Sequence, residues 1–231
     1  MIFIKGGKFK PLFFDKSKRE QVIVESFYID KYPVSNLEYM NFIKEESKWS
    51  LENAKSIFVE KAYLSHWKGN TPDKSIHNAA VVNVSWFAAR AYCHWKGKRL
   101  PSTAEWEFVA LADETQRDAS YKKDYSARIL KWYSRPGGVN RSEVGSTYKN
   151  FYGVYDMHGL IWEWVEDFST AMVTGDSRGD SSLDKGLFCG SGSLGASNFN
   201  DYAAFMRYGF RSSLDAKYTV NNLGFRCAYN N

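Results

Sequence analysis

Two Ser-x-x-Glu boxes that precede helical apolar patterns, both in the first half of the chain, set where helices can begin. Ser35 with Glu38 and Ser102 with Glu105 each offer a hydroxyl to a first-turn amide and a carboxylate back to the cap. After Ser35, the residues Leu37, Met40 and Ile43 recur at nearly helical spacing, and the second box predicts a helix to about Leu111. Between them a further helix is expected from about Ser85 to Lys96, with Trp86, Ala89 and Cys93 on one face and Gly97 as its stop. Met1 to Ile4 and Gln21 to Ile29 read as strands. Residues 112 to 145 are polar and read as long loops. From Tyr152 the pattern becomes short strands joined by Gly-, Ser- and Asn-rich turns. Early helices and late strands give an α+β class rather than a βαβ repeat.

Such short elements leave gaps that wide, flat side chains can close. The chain carries 8 Trp, 15 Tyr and 16 Phe in 231 residues, which suits an irregular, loop-rich core and also suits a recognition surface. Charge is scattered: 31 basic and 26 acidic residues give +5 without the continuous basic stripe of a nucleic-acid binder. No run of about eighteen apolar residues is present, so no membrane span is expected. Met1 to Gly7 lacks a signal-peptide pattern. Cys93, Cys189 and Cys227 allow at most one internal disulfide, and none has zinc-like spacing to His66, His77, His94 or His158.

Four stretches are more specific than any propensity. They are Phe27 to Asn36; Val82 to Glu107, with Lys98-Arg99-Leu100-Pro101-Ser102 inside it; Tyr152 to Trp164, ending Trp162-Glu163-Trp164; and Asn222 to Ala228, with Gly224-Phe225-Arg226-Cys227. Together, and in this order, they resemble the sulfatase-modifying-factor (formylglycine-generating-enzyme-like) family. The resemblance spans nearly all of residues 1–231 as a single domain. It implies a C-type-lectin-like fold with little regular structure, two to three helices and small twisted antiparallel sheets.

The family enzyme oxidises a substrate cysteine to formylglycine with oxygen, holding copper(I) on two thiolates. Soft thiolates suit that ion. The resemblance places the two thiol positions at Asn198 and Ala203, so copper and formylglycine chemistry are not expected. The polar groups left there are Ser193, Asn198, Asn200, Asp201, Tyr202, Arg207 and Arg211, with Trp164 nearby if the family's groove is kept. Asp201 or Tyr202 can serve as acid or base, or can cap a turn and pack. Phe205, Met206 and Phe210 read as core. Two functions stay open: modification or oxidation of a peptide or small molecule by other chemistry, or a non-catalytic module displaying a groove for a peptide, protein or small-molecule ligand.

The resemblance also implies a structural Ca2+ ion on the turn before Trp162. Its ligands would be the Glu163 side chain and the backbone oxygens of His158, Gly159 and Ile161. Leu160 stands where the family usually has Asn. From the residues alone, Glu163 can equally pair with a nearby Arg or Lys. Family members are often exported, so a periplasmic or secreted location is the expectation. Against it, Cys93 and Cys227 do not find the disulfide partners of the exported enzyme, and Tyr208 occupies one partner position.

Overall fold

A computed structural model describes residues 1–11, 21–135, 142–169 and 199–231. The chain starts with four short strands: β1 (Ile2–Ile4), β2 (Gly7–Phe9), β3 (Val22–Val24) and β4 (Phe27–Ile29). β1 and β4 pair antiparallel, Ile2 opposite Ile29, and β4 pairs antiparallel with the last strand, β7 (Ala228–Asn230). β2 and β3 form a separate antiparallel ribbon. The two ends of the chain therefore meet in one three-stranded sheet, β1-β4-β7.

The three expected helices form: α1 (Asn36–Glu45), α2 (Trp86–Trp95) and α3 (Thr103–Ala110). Both capping boxes close reciprocally at Ser35 and Ser102. Gly97, at φ +67°, takes the left-handed conformation that ends α2. α1 and α2 bury rings into a shared aromatic core. Tyr39 stacks on Tyr92 at 5.9 Å, and Phe225 meets both rings edge-on at 6.1 and 5.3 Å. The buried Tyr39 hydroxyl is satisfied by Tyr63, 2.7 Å away, which in turn donates to the Trp49 carbonyl.

The second half departs from expectation in three ways. The stretch read as loop contains α4 (Lys123–Tyr133), and the stretch read as short strands contains α5 (Phe199–Ser212). Neither opens on the Ser-x-x-Glu box that marks α1 and α3, although each carries a one-sided apolar pattern. α4 has no side-chain cap at Lys122 and buries Tyr125, Ser126 and Ile129, while α5 buries Ala203, Arg207, Tyr208 and Arg211. The two helices pack on each other, so each covers the other's inward face. The third departure is a parallel pair: β5 (Trp162–Glu163) lies beside β6 (Leu223–Gly224), with Trp162 opposite Leu223. Gly224 is required there, because a Cβ would lie 2.1 Å from the Val81 carbonyl oxygen.

The cysteine expectation is also corrected. Cys93 on α2 and Cys227 after β6 are bonded to each other, and both are fully buried. The partner of each is the other, so Tyr208 displaces nothing from this bridge. Cys189 lies outside the described residues.

Candidate functional site

The site is assembled where α3, α4, α5 and β5 converge. Trp162, Glu163 and Trp164 leave β5 in different environments. Trp164 is fully buried and donates its indole N–H to the Val84 carbonyl at 2.9 Å, so it belongs to the core and not to a groove. Trp162 is half-buried and takes the outward place instead.

Glu163 is buried and already neutralised. Arg226 donates to both carboxylate oxygens at 2.8 Å, and Trp106 donates its indole N–H to one of them at 2.8 Å. Arg226 also donates to the carbonyls of Tyr155 and Asp30, which ties the turn to β4. Charge-assisted bonds in this forked geometry are strong, and the pair is fully enclosed. The other three residues of the implied calcium set lie on the same turn. Gly159 takes φ +103°, while Ile161 packs its side chain with Ala80, Val82 and Leu160. His158 is buried among the rings of Trp106, Tyr125 and Trp132 and bonds the Ala110 carbonyl at 3.1 Å. Burial, and then the nearby Arg207 cation, push the His158 pKa down to about 3. The one carboxylate assigned to calcium therefore carries a guanidinium on both oxygens, and this donor set does not fit a calcium ion.

A second buried carboxylate organises the other side of Trp106. Glu107 accepts from Arg207 Nε and Nη2 at 3.0 and 2.7 Å and from Arg211 Nη1 at 2.6 Å. All three side chains are buried. Burial alone would raise the Glu107 pKa; the two guanidiniums outweigh it and hold the carboxyl at about 2. Arg207 also donates from Nη1 to the Tyr133 hydroxyl at 3.2 Å, and the Arg211 guanidinium lies over the Trp106 ring at 4.6 Å. Arg207, a candidate from sequence, is thus a structural cation docking α5 onto α3 and α4.

Beside this ion cluster is a set of touching rings. Trp162 stacks on Tyr133 at 4.7 Å, lies 5.4 Å from Trp132 and 4.4 Å from Phe210. All four are half-buried, so their outer faces meet solvent. Phe205 is likewise half-buried and Met206 is 37% exposed, so the stretch read as core is not sealed. Tyr202 is 44% exposed and stacks on Phe205 at 6.2 Å. Ala203, the position of the family's second thiol by resemblance, is 2% exposed and packs with Ala119, Tyr125 and Ile129 between α4 and α5. Asp201 falls in the first turn of α5. Ser193 and Asn198 lie outside the described residues. Sequence reasoning missed Glu107, Tyr133 and Trp162; the Arg207/Arg211 spacing of four, with a Glu inside an apolar helix, was the available signal.

The comparisons agree with this architecture. A formylglycine-generating enzyme from Mus musculus is 29% identical over 262 residues, covering 90% of this chain and 67% of its own. An inactive C-alpha-formylglycine-generating enzyme 2 from Bos taurus is 28% identical, covering 71% and 69%. A serine/threonine-protein kinase pkn1 from Chlamydia caviae is 28% identical over 73% of this chain, which spans 28% of the kinase's length. The structure of PvdO from Pseudomonas aeruginosa superimposes with a TM-score of 0.52 at 18% identity, over 99% of this chain and 93% of that one, a likeness of fold. The family model described as a sulfatase-modifying factor enzyme 1-like domain matches residues 1–231, and the chain belongs to that family.

Proposed function

We propose that this chain is a binding module of its family, presenting the ring face of Trp132, Tyr133, Trp162 and Phe210 to a peptide or small molecule, rather than an oxidase of cysteine. The observation that carries this reading is Ala203. A methyl group sealed between α4 and α5 stands where the resemblance assigns a copper-holding thiolate, and a methyl cannot bind a soft metal. Three of the buried titratable groups near it are engaged elsewhere: Glu107 and Glu163 hold arginines, and His158 is kept neutral by its surroundings. Half-buried aromatic rings give much contact area at low entropic cost, which suits recognition. The inactive relative from Bos taurus supports a non-oxidising role on this scaffold. A periplasmic or secreted location is part of the proposal, supported by the buried Cys93–Cys227 bridge, because disulfides persist in oxidising compartments.

The test is an incubation with copper(I), oxygen and a Cys-x-Pro-x-Arg peptide, read by mass spectrometry for the aldehyde. No conversion is expected, and steady turnover would refute the reading. In parallel, chelation with EDTA is expected to leave Tm unchanged, since Arg226 and not a cation neutralises Glu163.

A further inference from the structure

A second aromatic surface lies on the β1-β4-β7 sheet, built by elements that take no part in the ring face described above. In register across that sheet, Phe3 stands opposite Tyr28, and Tyr28 stands opposite Tyr229. Their strand neighbours Ile4, Phe27, Ile29 and Ala228 are buried, so the alternation of the strands turns the three rings to the outer side. Phe3 and Tyr229 are 48% and 51% exposed, and Tyr28 is half-buried between them. The ring centroids are 5.2 Å apart in the first pair and 6.5 Å in the second, with planes tilted by 54° and 52°. The line is therefore ridged, not flat, and suits small apolar units set between or against the rings rather than one wide planar body.

The line ends in a cleft of about 400 Å³ lined by Gly97, Lys98, Arg99, Tyr229, Asn230 and Asn231. A Cβ at Gly97 would meet nothing within 4 Å, so this wall is open. The cations of the lining are matched. Lys98 Nζ is 2.6 Å from Asp30 Oδ1, and Arg99 donates to both oxygens of Glu105 at 2.7 Å. Arg99 also donates from Nε to Oδ1 of the exposed Asn230 at 2.7 Å, so that amide keeps its NH2 as a donor. With the hydroxyls of Tyr28 and Tyr229, the surface offers donors without asking for a charge.

These features constrain an occupant in spacing and in polarity. The outer rings stand on strands two spacings apart, about 10 Å. A polyproline II helix repeats every three residues, about 9 Å, with its backbone unpaired. Proline has no N–H, so such a backbone chiefly accepts. We propose, independently of the binding reading above, that this sheet face docks a proline-rich segment of a partner protein in the polyproline II conformation. Prolines three residues apart pack against Phe3 and Tyr229, and carbonyls between them accept from Tyr28, Tyr229 and Asn230. Such a segment is preformed and loses little entropy on docking against aromatic side chains.

The test titrates the full chain with a proline peptide of about ten residues, enough for three turns, read by 1H–15N NMR. A Gly-Ser peptide of equal length and cellohexaose are the comparison probes. The expected result is shift changes from the proline peptide alone, gathered at residues 2–4, 27–29, 97–99 and 228–230. Phe3→Ala and Tyr229→Ala, both at exposed positions, should each weaken binding at least about fivefold with Tm nearly unchanged. Tyr28→Phe keeps the ring and removes the hydroxyl, and should weaken binding about threefold. Tyr121→Ala, at an exposed position outside this sheet, should leave binding unaltered. No binding of the proline peptide overturns the proposal, as does binding that ignores the Phe3 and Tyr229 changes. Shifts at the same residues from cellohexaose and not from the proline peptide assign the face to a sugar and equally overturn it. The Trp162 face is unaltered in every variant, so its reading stands or falls separately.

Discussion

Helices α1 and α5 bury opposite kinds of residue. α1 starts at a closed capping box and turns Tyr39, Met40, Phe42 and Ile43 inward. α5 turns Ala203, Arg207, Tyr208 and Arg211 inward and leaves Tyr202 and Met206 at 44% and 37% exposure. The first is held by apolar area removed from water. The second is held by a carboxylate, Glu107, waiting on α3, and without that partner its buried face would be untenable. The difference shows that in this fold a helix can be docked by buried charge as well as by apolar area.

The sharpest break in the comparison comes from removing the carboxylate. Glu107→Gln leaves two buried guanidiniums without their anion and is expected to cost about 3–5 kcal/mol by urea unfolding. Phe42→Ala in α1 should cost a similar amount, about 3–5 kcal/mol, through lost burial and cavity. The two should respond differently to compensation. Replacing the whole trio by Glu107→Leu, Arg207→Met and Arg211→Leu should recover much of the Glu107→Gln loss. If the triple variant proves less stable than the single one, charge is not what docks α5.

Acid should act on the α5 side of the molecule before the α1 side. His158 has its pKa lowered from 6.5 to about 3, so the unfolded chain binds a proton that the folded chain refuses. Its stabilisation is complete above about pH 6.5 and falls as pH drops, by about 2 kcal/mol between pH 7 and 5. Glu107, lowered from 4.5 to about 2, contributes above pH 4.5, and that contribution is lost as pH falls toward 2, on the order of 3 kcal/mol in total. Unfolding monitored from pH 7 to 3 should show both windows, and His158→Phe should flatten the upper one. A stability curve unchanged down to pH 5 contradicts the neutral, enclosed His158.

The smallest effect belongs to the outward side of α5. Met206→Ser should change stability by less than about 0.5 kcal/mol, whereas Met40→Ser in α1 should cost several-fold more. Comparable losses in the two helices would mean that the α5 surface is covered in solution.

What the sequence made legible follows the same division. α1 and α3 were readable because caps and apolar spacing agree at Ser35 and Ser102. α5 was not, because two of its four inward positions, among Ala203, Arg207, Tyr208 and Arg211, are arginines, while the apolar Tyr202 and Met206 face outward. α4 turns Tyr125 and Ile129 inward with Leu130 and Tyr133 packed beside them, but no side-chain cap at Lys122 marks its start. The family fingerprint located the Trp162–Trp164 segment but could not say which tryptophan faces out, since that depends on Trp164 reaching the Val84 carbonyl. Glu163 had two readings open, and its partner, Arg226, lies 63 residues away. Such a pairing is set by the parallel contact of β5 with β6, which no local pattern announces.

The central claim is that a buried, ionised Glu107 holds α5 in place. Its direct test is a carboxyl-carbon NMR titration of Glu107 in the folded protein. The account predicts a carboxylate that stays ionised down to a midpoint at about pH 2. A midpoint near the ordinary 4.5, with the protein still folded, would contradict it.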